Sequence, residues 1–456
     1  MDNKKLIEEM VEKARVAQAE LATYSQEELD AIVKVIGKTV YDNAEELAKM
    51  AVEETRMGVY EDKVAKNKGK SKTIWNNLRD KKTVGIIERD AKKALTMVAK
   101  PVGVVAAVTP TTNPIVTPMC NSMFAIKGGN AIIIAPHPRS EKCSAYTVDL
   151  IKKSLKDQGV KCPENAIQII RDSSIEKTNE LMKAVDVVLA TGGMGVVKAA
   201  YSSGKPSYGV GAGNVQVIID RDVDFVDATA KIIAGRKFDN GIICSGEQTI
   251  IAPADKYDEV IKAAVSNGAY YIEDPEVVDK FRKTIFVNGH INKDVVGQSV
   301  QKVAELAGVE VPEETKVILL KAEGIGAEDD LCKEKMCPVM ASFKYETFDD
   351  AIRIAQTNLN LEGKGHSAAI HSNNPENIDK AGINLTVSRL VVNAPSSTTA
   401  GGSLTNGFAP TTTLGCGTWG NNVISENLDY KHLINVSRIG RVIEDAKVPT
   451  DEEIWA

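Results

Sequence analysis

Along the first hundred residues, apolar side chains return at helical intervals. Leu6, Met10, Ala14, Ala17 and Leu21 outline one stripe, and SQEEL at Ser25, with Glu28 three residues on, has the pattern of a reciprocal helix cap. A helical prelude is predicted. From Pro101 the texture changes to short apolar runs, VGVVAAV, AIIIAP, AIQII, VDVVLATG and VQVIID, separated by amphipathic segments such as SAYTVDLIKKSLKDQG and SIEKTNELMKA. Five strand–helix alternations predict an open parallel sheet covered on both faces. A second alternating set starts near Gly241 with TIIAP, KVILLKA, PVMASFKY, SAAIHS and RLVVNAP. The expected class is therefore α/β with two units that meet around residues 209–245. The last alternating stretch, YKHLINVSRIGRVIE, follows a Gly-rich loop and reads as a strand added to another unit's sheet edge.

Composition narrows this only a little. The chain has 456 residues, 43% apolar and 26% charged, with a net charge of −6 and no long acidic or basic block, so nucleic acid is not an expected partner. No run of 18 apolar residues occurs, and the start lacks a secretory pattern, so an unprocessed cytoplasmic protein without membrane contact is expected. The seven cysteines are odd in number, scattered and free of any CxxC pair, which argues for reduced thiols and against a metal site.

Parallel sheets bind ligands beyond the carboxyl ends of their strands, so the loops there carry the candidate chemistry. TPTTNP (Thr109, Pro110, Thr111, Thr112, Asn113) follows the first strand, and HPRS (His137, Pro138, Arg139, Ser140) follows the second. TGGMG, with Gly192, Gly193 and Gly195, reads either as a pyrophosphate cradle or as a plain tight turn. Cys244, in DNGIICSGE, stands among small residues that suit a nucleophilic thiol, whereas a lone cysteine is ordinarily a buried apolar filler.

These motifs together resemble the aldehyde dehydrogenase superfamily. FDNGIIC is similar to its nucleophile motif, TGGMG to its pyrophosphate loop, and EKMCPV to the segment whose glutamate, here Glu334, holds the nicotinamide ribose. TPTTNP, APHPR, CSGEQ, GHSAAIH and TLGCGTWG resemble the coenzyme A-acylating branch. AKNKGKSK, GKPSYGVGAGNVQVI, DNGIICSGEQ and NAPSSTTAGG are similar to its succinate-semialdehyde members from anaerobic bacteria. The resemblance implies a Rossmann-type cofactor unit over 1–215 with an oligomerisation strand near 94–104. It also implies a catalytic unit over 216–405 and a return to the first unit over 406–456, in a homodimer or dimer of dimers. Cys244 is then the nucleophile and Asn113 the oxyanion amide, although a gap-free alignment sets Thr112 there. His366 handles the coenzyme A thiol proton, as an imidazole can near neutral pH.

Hydrolytic members carry a water-activating glutamate some thirty-odd positions before the cysteine. Gly209, in GVGAGN, stands 35 positions before Cys244, and Gly211 of the same stretch is expected at the cofactor. An acyl-cysteine without that base waits for a thiol, which implies acyl-CoA chemistry. Glu247, three residues after the cysteine, is a competing base. Ser396, Ser397, Thr398 and Thr399 are expected at the substrate tail. The lysines at 63, 66, 68, 70 and 72 read as a solvated run, with coenzyme A or NADP phosphates as the other reading. Arg139, with no acid before Glu141, favours NADP over NAD. Acetaldehyde or butyraldehyde is the alternative substrate. A cysteine hydrolase or acyltransferase without nicotinamide is the competing class, and a scaffold tag in the N-terminal helix is a third reading.

Overall fold

The computed structural model describes residues 3–456. Four helices come first: α1 (Asn3–Leu21), α2 (Gln26–Asp42), α3 (Ala44–Thr55) and α4 (Tyr60–Leu78). Ser25 caps α2, accepting from the Glu28 amide while Glu28 reaches back to the Ser25 amide. The buried stripe of α1 is Ile7, Val11, Ala14, Ala17 and Leu21, so its N-terminal half is rotated one residue from the expected Leu6 and Met10. Ile7, Val11 and Ala14 pack on Val104, Ala106, Ala131 and Ile133, which makes α1 part of a sheet unit rather than a detached tag.

Strands β1 (Gly85–Asp90) and β2 (Leu95–Pro101) form a hairpin. They are followed by β3 (Val104–Thr109), β4 (Ala131–Pro136), β5 (Ile167–Ile169), β6 (Val187–Thr191) and β7 (Ser207–Val210). The last five make a parallel sheet ordered β5-β4-β3-β6-β7. Both faces are covered: Val105 and Ala107 enter one core with α2 and α5 (Val116–Lys127), while Val104, Ala106 and Val108 enter another with α1. The fifth strand is the short SYGV, not VQVIID as the apolar pattern suggested. That run forms β8 (Gln216–Ile219) in a second sheet with β9 (Thr249–Pro253) and β10 (Ala269–Ile272), so the chain changes sheets between Val210 and Gln216. A short hairpin, β11 (Phe286–Val287) and β12 (His290–Ile291), precedes β13 (Val317–Lys321), β14 (Val339–Tyr345), β15 (Gly365–His371) and β16 (Val387–Val392). The second sheet is parallel throughout, ordered β10-β13-β14-β9-β8-β15-β16.

The C-terminal strand β17 (Ile434–Gly440) runs antiparallel to β2, Ile434 against Pro101, in a three-stranded sheet with β1. It therefore completes a sheet within its own chain. Among the described residues no helix is long and apolar enough to cross a membrane.

The first sheet reverses strand order at β3, with β4 on one side and β6 on the other. A crevice opens beyond the carboxyl ends of such a pair. TPTTNP leaves β3 there, HPRS leaves β4 and TGGMG leaves β6. The second sheet offers its opposite edge: Cys244, Glu334 and His366 stand at the amino ends of β9, β14 and β15.

Candidate active site

The turn before Cys244 is clamped, not flexible. Helix α9 (Phe225–Lys237) follows α6 (Glu141–Asp157), α7 (Ile175–Ala184) and α8 (Met194–Tyr201), and ends at Lys237. Asp239 (φ 52°), Asn240 (φ 53°) and Gly241 (φ 69°) then occupy the left-handed region in succession. For the two non-glycine residues that costs about 1–2 kcal/mol each. The Asp239 carboxylate, fully buried, accepts from Lys66 Nζ at 2.6 Å, Lys63 Nζ at 3.1 Å and the Val59 amide at 2.9 Å, while its own amide donates to Asp62. Burial alone pushes its carboxyl up, but Lys66 and Lys63 outweigh that and hold it below its ordinary value. Breaking a buried ion pair costs about 3–5 kcal/mol, so the clamp outweighs the strain.

Beyond the turn, Cys244 stands where two cavities meet. The larger, about 750 Å³, is walled by Thr109, Pro110, Thr111, Thr112, Asn113, His137, Pro138, Gly192, Gly193, Gly195, Gly211 and Glu334. The smaller, about 230 Å³, is walled by Lys66, Lys70, Phe238, Ser245, Ser397, Thr398, Gly401 and Gly402. Asn113, Cys244 and Thr412 belong to both walls. Burial pushes the Cys244 thiol up to about 12, Glu334 and Cys416 add to the shift and Arg389 opposes it. The resting sulfur is therefore protonated.

The larger cavity suits a dinucleotide. Its volume lies in the range of cofactor sites. A side chain added at Gly193 or Gly195 would point into open space, so α8 presents uncovered amides there. Arg139 is exposed and Ser140 is buried with its hydroxyl on the His137 carbonyl, and neither lines the cavity. The Glu141 carboxylate is occupied with the amides of Asp172 and Ser173. Glu54, unread in the sequence, takes the amides of Lys142 and Cys143 at the start of α6. A phosphate near His137 must consequently be met by side chains rather than by that helix end.

His366 lies behind the Cys244 peptide and lines neither cavity. A Cβ added at Gly213 would meet the Cys244 carbonyl and, at 3.2 Å, His366 Nδ1, so the two residues flank one glycine. Burial, with Arg389 nearby, holds its imidazole well below the usual range and hence neutral. Nδ1 faces the Ser367 hydroxyl at 3.0 Å, and Nε2 has no partner among the described residues. Thr112 reaches only the cofactor side, whereas Asn113 reaches both. Of the expected substrate loop, Ser397 and Thr398 line the smaller cavity; Ser396 is buried beneath it and Thr399 turns its hydroxyl onto the Pro395 carbonyl.

No carboxylate is placed to ready water. At Gly209, in β7, a Cβ would stand 2.9 Å from both the Tyr201 ring and Val197, so the position is closed to a side chain. Glu247 lines neither cavity. Its Oε1 accepts from the Ser396 amide at 2.5 Å, tying the substrate loop to the start of β9, and burial pushes its carboxyl up to about 8. Among the described residues Glu334 is the one carboxylate on either wall; burial, with Glu362 alongside, pushes it up to about 8, which leaves it a poor base at neutral pH. A raised carboxyl pKa stabilises the fold below its unfolded value near 4.5 and loses that contribution as pH rises through 8. Glu247→Gln, which keeps the acceptor for Ser396, is expected to melt progressively higher than the parent between pH 5 and pH 8. Thermal melts of both proteins across that range check it, and a pH-independent difference would contradict the buried, protonated carboxyl.

The lysine run is not a solvated face. Lys63, Lys66 and Lys70 share the inner side of α4, while Lys68 pairs outward with Glu45. Lys70 Nζ donates to the carbonyls of Gly401 (2.8 Å) and Thr411 (3.0 Å) and forms no ion pair among the described residues. The spacing 63, 66, 70 was the available signal, since it is the i, i+3, i+7 stripe of one helix face.

Residues 1–312 match the model of the aldehyde dehydrogenase family. The chain belongs to that family. It is 62% identical over 455 residues to the succinate-semialdehyde dehydrogenase (acetylating) of Clostridium kluyveri, covering all of both chains. Among solved structures it is similar to an acetylating aldehyde dehydrogenase from Geobacillus thermoglucosidasius (36% identity, TM-score 0.93, 98% of each chain). It is also similar to a Rhodopseudomonas palustris propionaldehyde dehydrogenase with bound CoA and an acylated cysteine (30% identity, TM-score 0.85, 95% of this chain and 97% of that one). Against this aldehyde dehydrogenase background, the crowding at Gly209 leaves no room there for a carboxylate side chain.

Proposed function

We propose that this aldehyde dehydrogenase interconverts succinyl-CoA and succinate semialdehyde, with NAD(P) as hydride carrier and coenzyme A as co-substrate. The observation that carries the substrate is Lys70: a half-buried cation without a carboxylate partner among the described residues, on the wall of a carboxylate-free cavity that opens on Cys244. A charge in that position demands an anion, which a succinyl tail supplies and an acetyl or butyryl tail does not.

In the reductive direction, Cys244 Sγ attacks the thioester carbonyl of succinyl-CoA, forming a new C–S bond while the coenzyme A sulfur leaves with a proton. The side-chain amide of Asn113 and the Cys244 N–H hold the oxyanion. Bound reduced nicotinamide supplies the hydride that brings the acyl carbon to the aldehyde level. Collapse then breaks the Cys244–carbon bond, frees succinate semialdehyde and leaves Cys244 as a thiolate, which takes a proton from solvent to restore the thiol. In reverse, the thioester on Cys244 persists until coenzyme A arrives, because Gly209 is closed, Glu247 is turned away and Glu334 is protonated. We assign the coenzyme A proton to His366, which is neutral, with an Nε2 unpartnered among the described residues. Because it lies behind the Cys244 peptide and on neither cavity wall, that role requires the peptide to move aside when coenzyme A enters. His366→Ala is expected to slow acyl transfer by about 10²-fold while the hydride step changes little. Stopped-flow measurement of the two half-reactions decides this, and equal losses would show a structural role only.

His137 on the cavity wall, with the Glu141 carboxylate occupied elsewhere, favours NADP. The proposal as a whole is tested by nicotinamide oxidation with succinyl-, acetyl- and butyryl-CoA against NADPH and NADH. Turnover with succinyl-CoA and NADPH is expected to exceed the others, and a preference for the uncharged chains would overturn the substrate.

A further inference from the structure

Asn113 takes no part in catalysis unless its amide nitrogen, rather than its oxygen, faces the reacting carbonyl. The backbone does not enforce that choice, because rotation about the last side-chain bond exchanges the two atoms. What fixes it is a second residue. Lys66 Nζ lies 2.7 Å from Asn113 Oδ1 and 2.6 Å from Asp239 Oδ2. An ammonium carries three donors and no acceptor, so it meets only the amide oxygen and turns the NH₂ group away from itself.

We propose that Lys66 is the positioning residue of the oxyanion hole, holding the Asn113 amide with its donor edge towards the carbon bound to Cys244. The inference rests on Asn113 being the oxyanion donor. Lys66 is well placed for this: its side chain is 8% exposed and lies on the wall of the smaller cavity together with Asn113 and Cys244. Its ammonium also has a counter-ion, since the Asp239 carboxylate accepts hydrogen bonds from both Lys66 and Lys63. Lys66 is thus ion-paired, which separates it from Lys70 four residues on, for which no ion pair is formed among the described residues. A cationic donor on Oδ1 further polarises the amide and strengthens its N–H as a donor. Asp239 joins the two halves of the site, because the carboxylate that holds Lys66 also anchors the left-handed turn leading to Cys244. Helix α4 thereby sets nucleophile and oxyanion donor against one another through one buried carboxylate.

Lys66→Met keeps the side chain unbranched and only one atom shorter and removes its donors, while Asp239 retains Lys63 and the Val59 amide. The experiment compares Lys66→Met, Asn113→Ala and the double variant in succinyl-CoA reduction. Asn113→Ala is expected to lower kcat by about 10²–10³-fold and Lys66→Met by about 10²-fold, with KM for succinyl-CoA within about 3-fold of the parent. The double variant is expected to be no slower than Asn113→Ala, because Lys66 acts through Asn113. Lys66→Arg, which keeps a charged donor, is expected to recover most of the loss. If the two losses multiply in the double variant, or if Lys66→Met raises KM for succinyl-CoA but not for butyryl-CoA, Lys66 acts on substrate directly and the inference is overturned. It is equally overturned if Lys66→Met retains kcat while Asn113→Ala loses it, an outcome that leaves the Asn113 reading intact. Retention of kcat by Asn113→Ala would remove that reading and the inference together. Should Lys66→Met not fold, Lys66→Gln keeps an uncharged donor, and a kcat between those of parent and Asn113→Ala is then the expected result; parental kcat would contradict the need for a cation.

Discussion

Cys244→Ala loses succinyl-CoA reduction and aldehyde oxidation together, by on the order of 10⁴-fold or more, because both directions pass through a bond to that sulfur. Binding of the nicotinamide is expected to survive, since the larger cavity is shaped by the loops after β3, β4 and β6 and only touches Cys244 at one end. Steady-state rates in both directions, with cofactor binding followed by fluorescence, check this. A variant that keeps one direction while losing the other would place the acyl group on a different residue. The other six cysteines do not compete easily: five are buried, and Cys162 lies against the Pro163 carbonyl, away from either cavity.

The second large effect concerns the substrate tail. Lys70→Met is expected to lower kcat/KM for succinyl-CoA by about 10²–10³-fold, the range for leaving one partner of a buried charge pair alone. With butyryl-CoA the same variant is expected to match or exceed the parent, because the apolar chain no longer strands an ammonium. The parent enzyme offers a related signature. Burial pulls the Lys70 ammonium down to about 8, so its charge is present below that pH and fades above it. Preference for succinyl-CoA over butyryl-CoA is therefore expected to decline as pH rises through 8, and a flat preference would indicate that hydroxyls and amides of Ser397 and Thr398 carry recognition instead.

What could be read in the chain before its structure was local. Strands buried on both faces announce themselves as apolar runs, and Cys244 is flanked by the residues that make its loop. VQVIID shows the limit: its apolarity predicts a strand, but which sheet it joins depends on β9 and β15, far away in sequence. SYGV was missed because four residues that include a serine and a glycine carry too weak a pattern. AYYI, paired only with β13 at the sheet edge, was missed as well. Lys66 and Lys70 were misread for a related reason. A lysine's partners decide whether it is solvated, and Asp239, Asn113, Gly401 and Thr411 reach α4 only in the folded chain. The motif shows a glycine at position 209, yet the Tyr201 ring that closes the position is not visible in it.

A persistent thioester is the centre of this account, and mass spectrometry of the protein after exposure to succinyl-CoA, with nicotinamide withheld, tests it most directly. The predicted result is one succinyl group per chain on the peptide that contains Cys244, stable against water and removed quickly by added coenzyme A. An unmodified Cys244, or a succinyl group that water removes as fast as coenzyme A does, would contradict it.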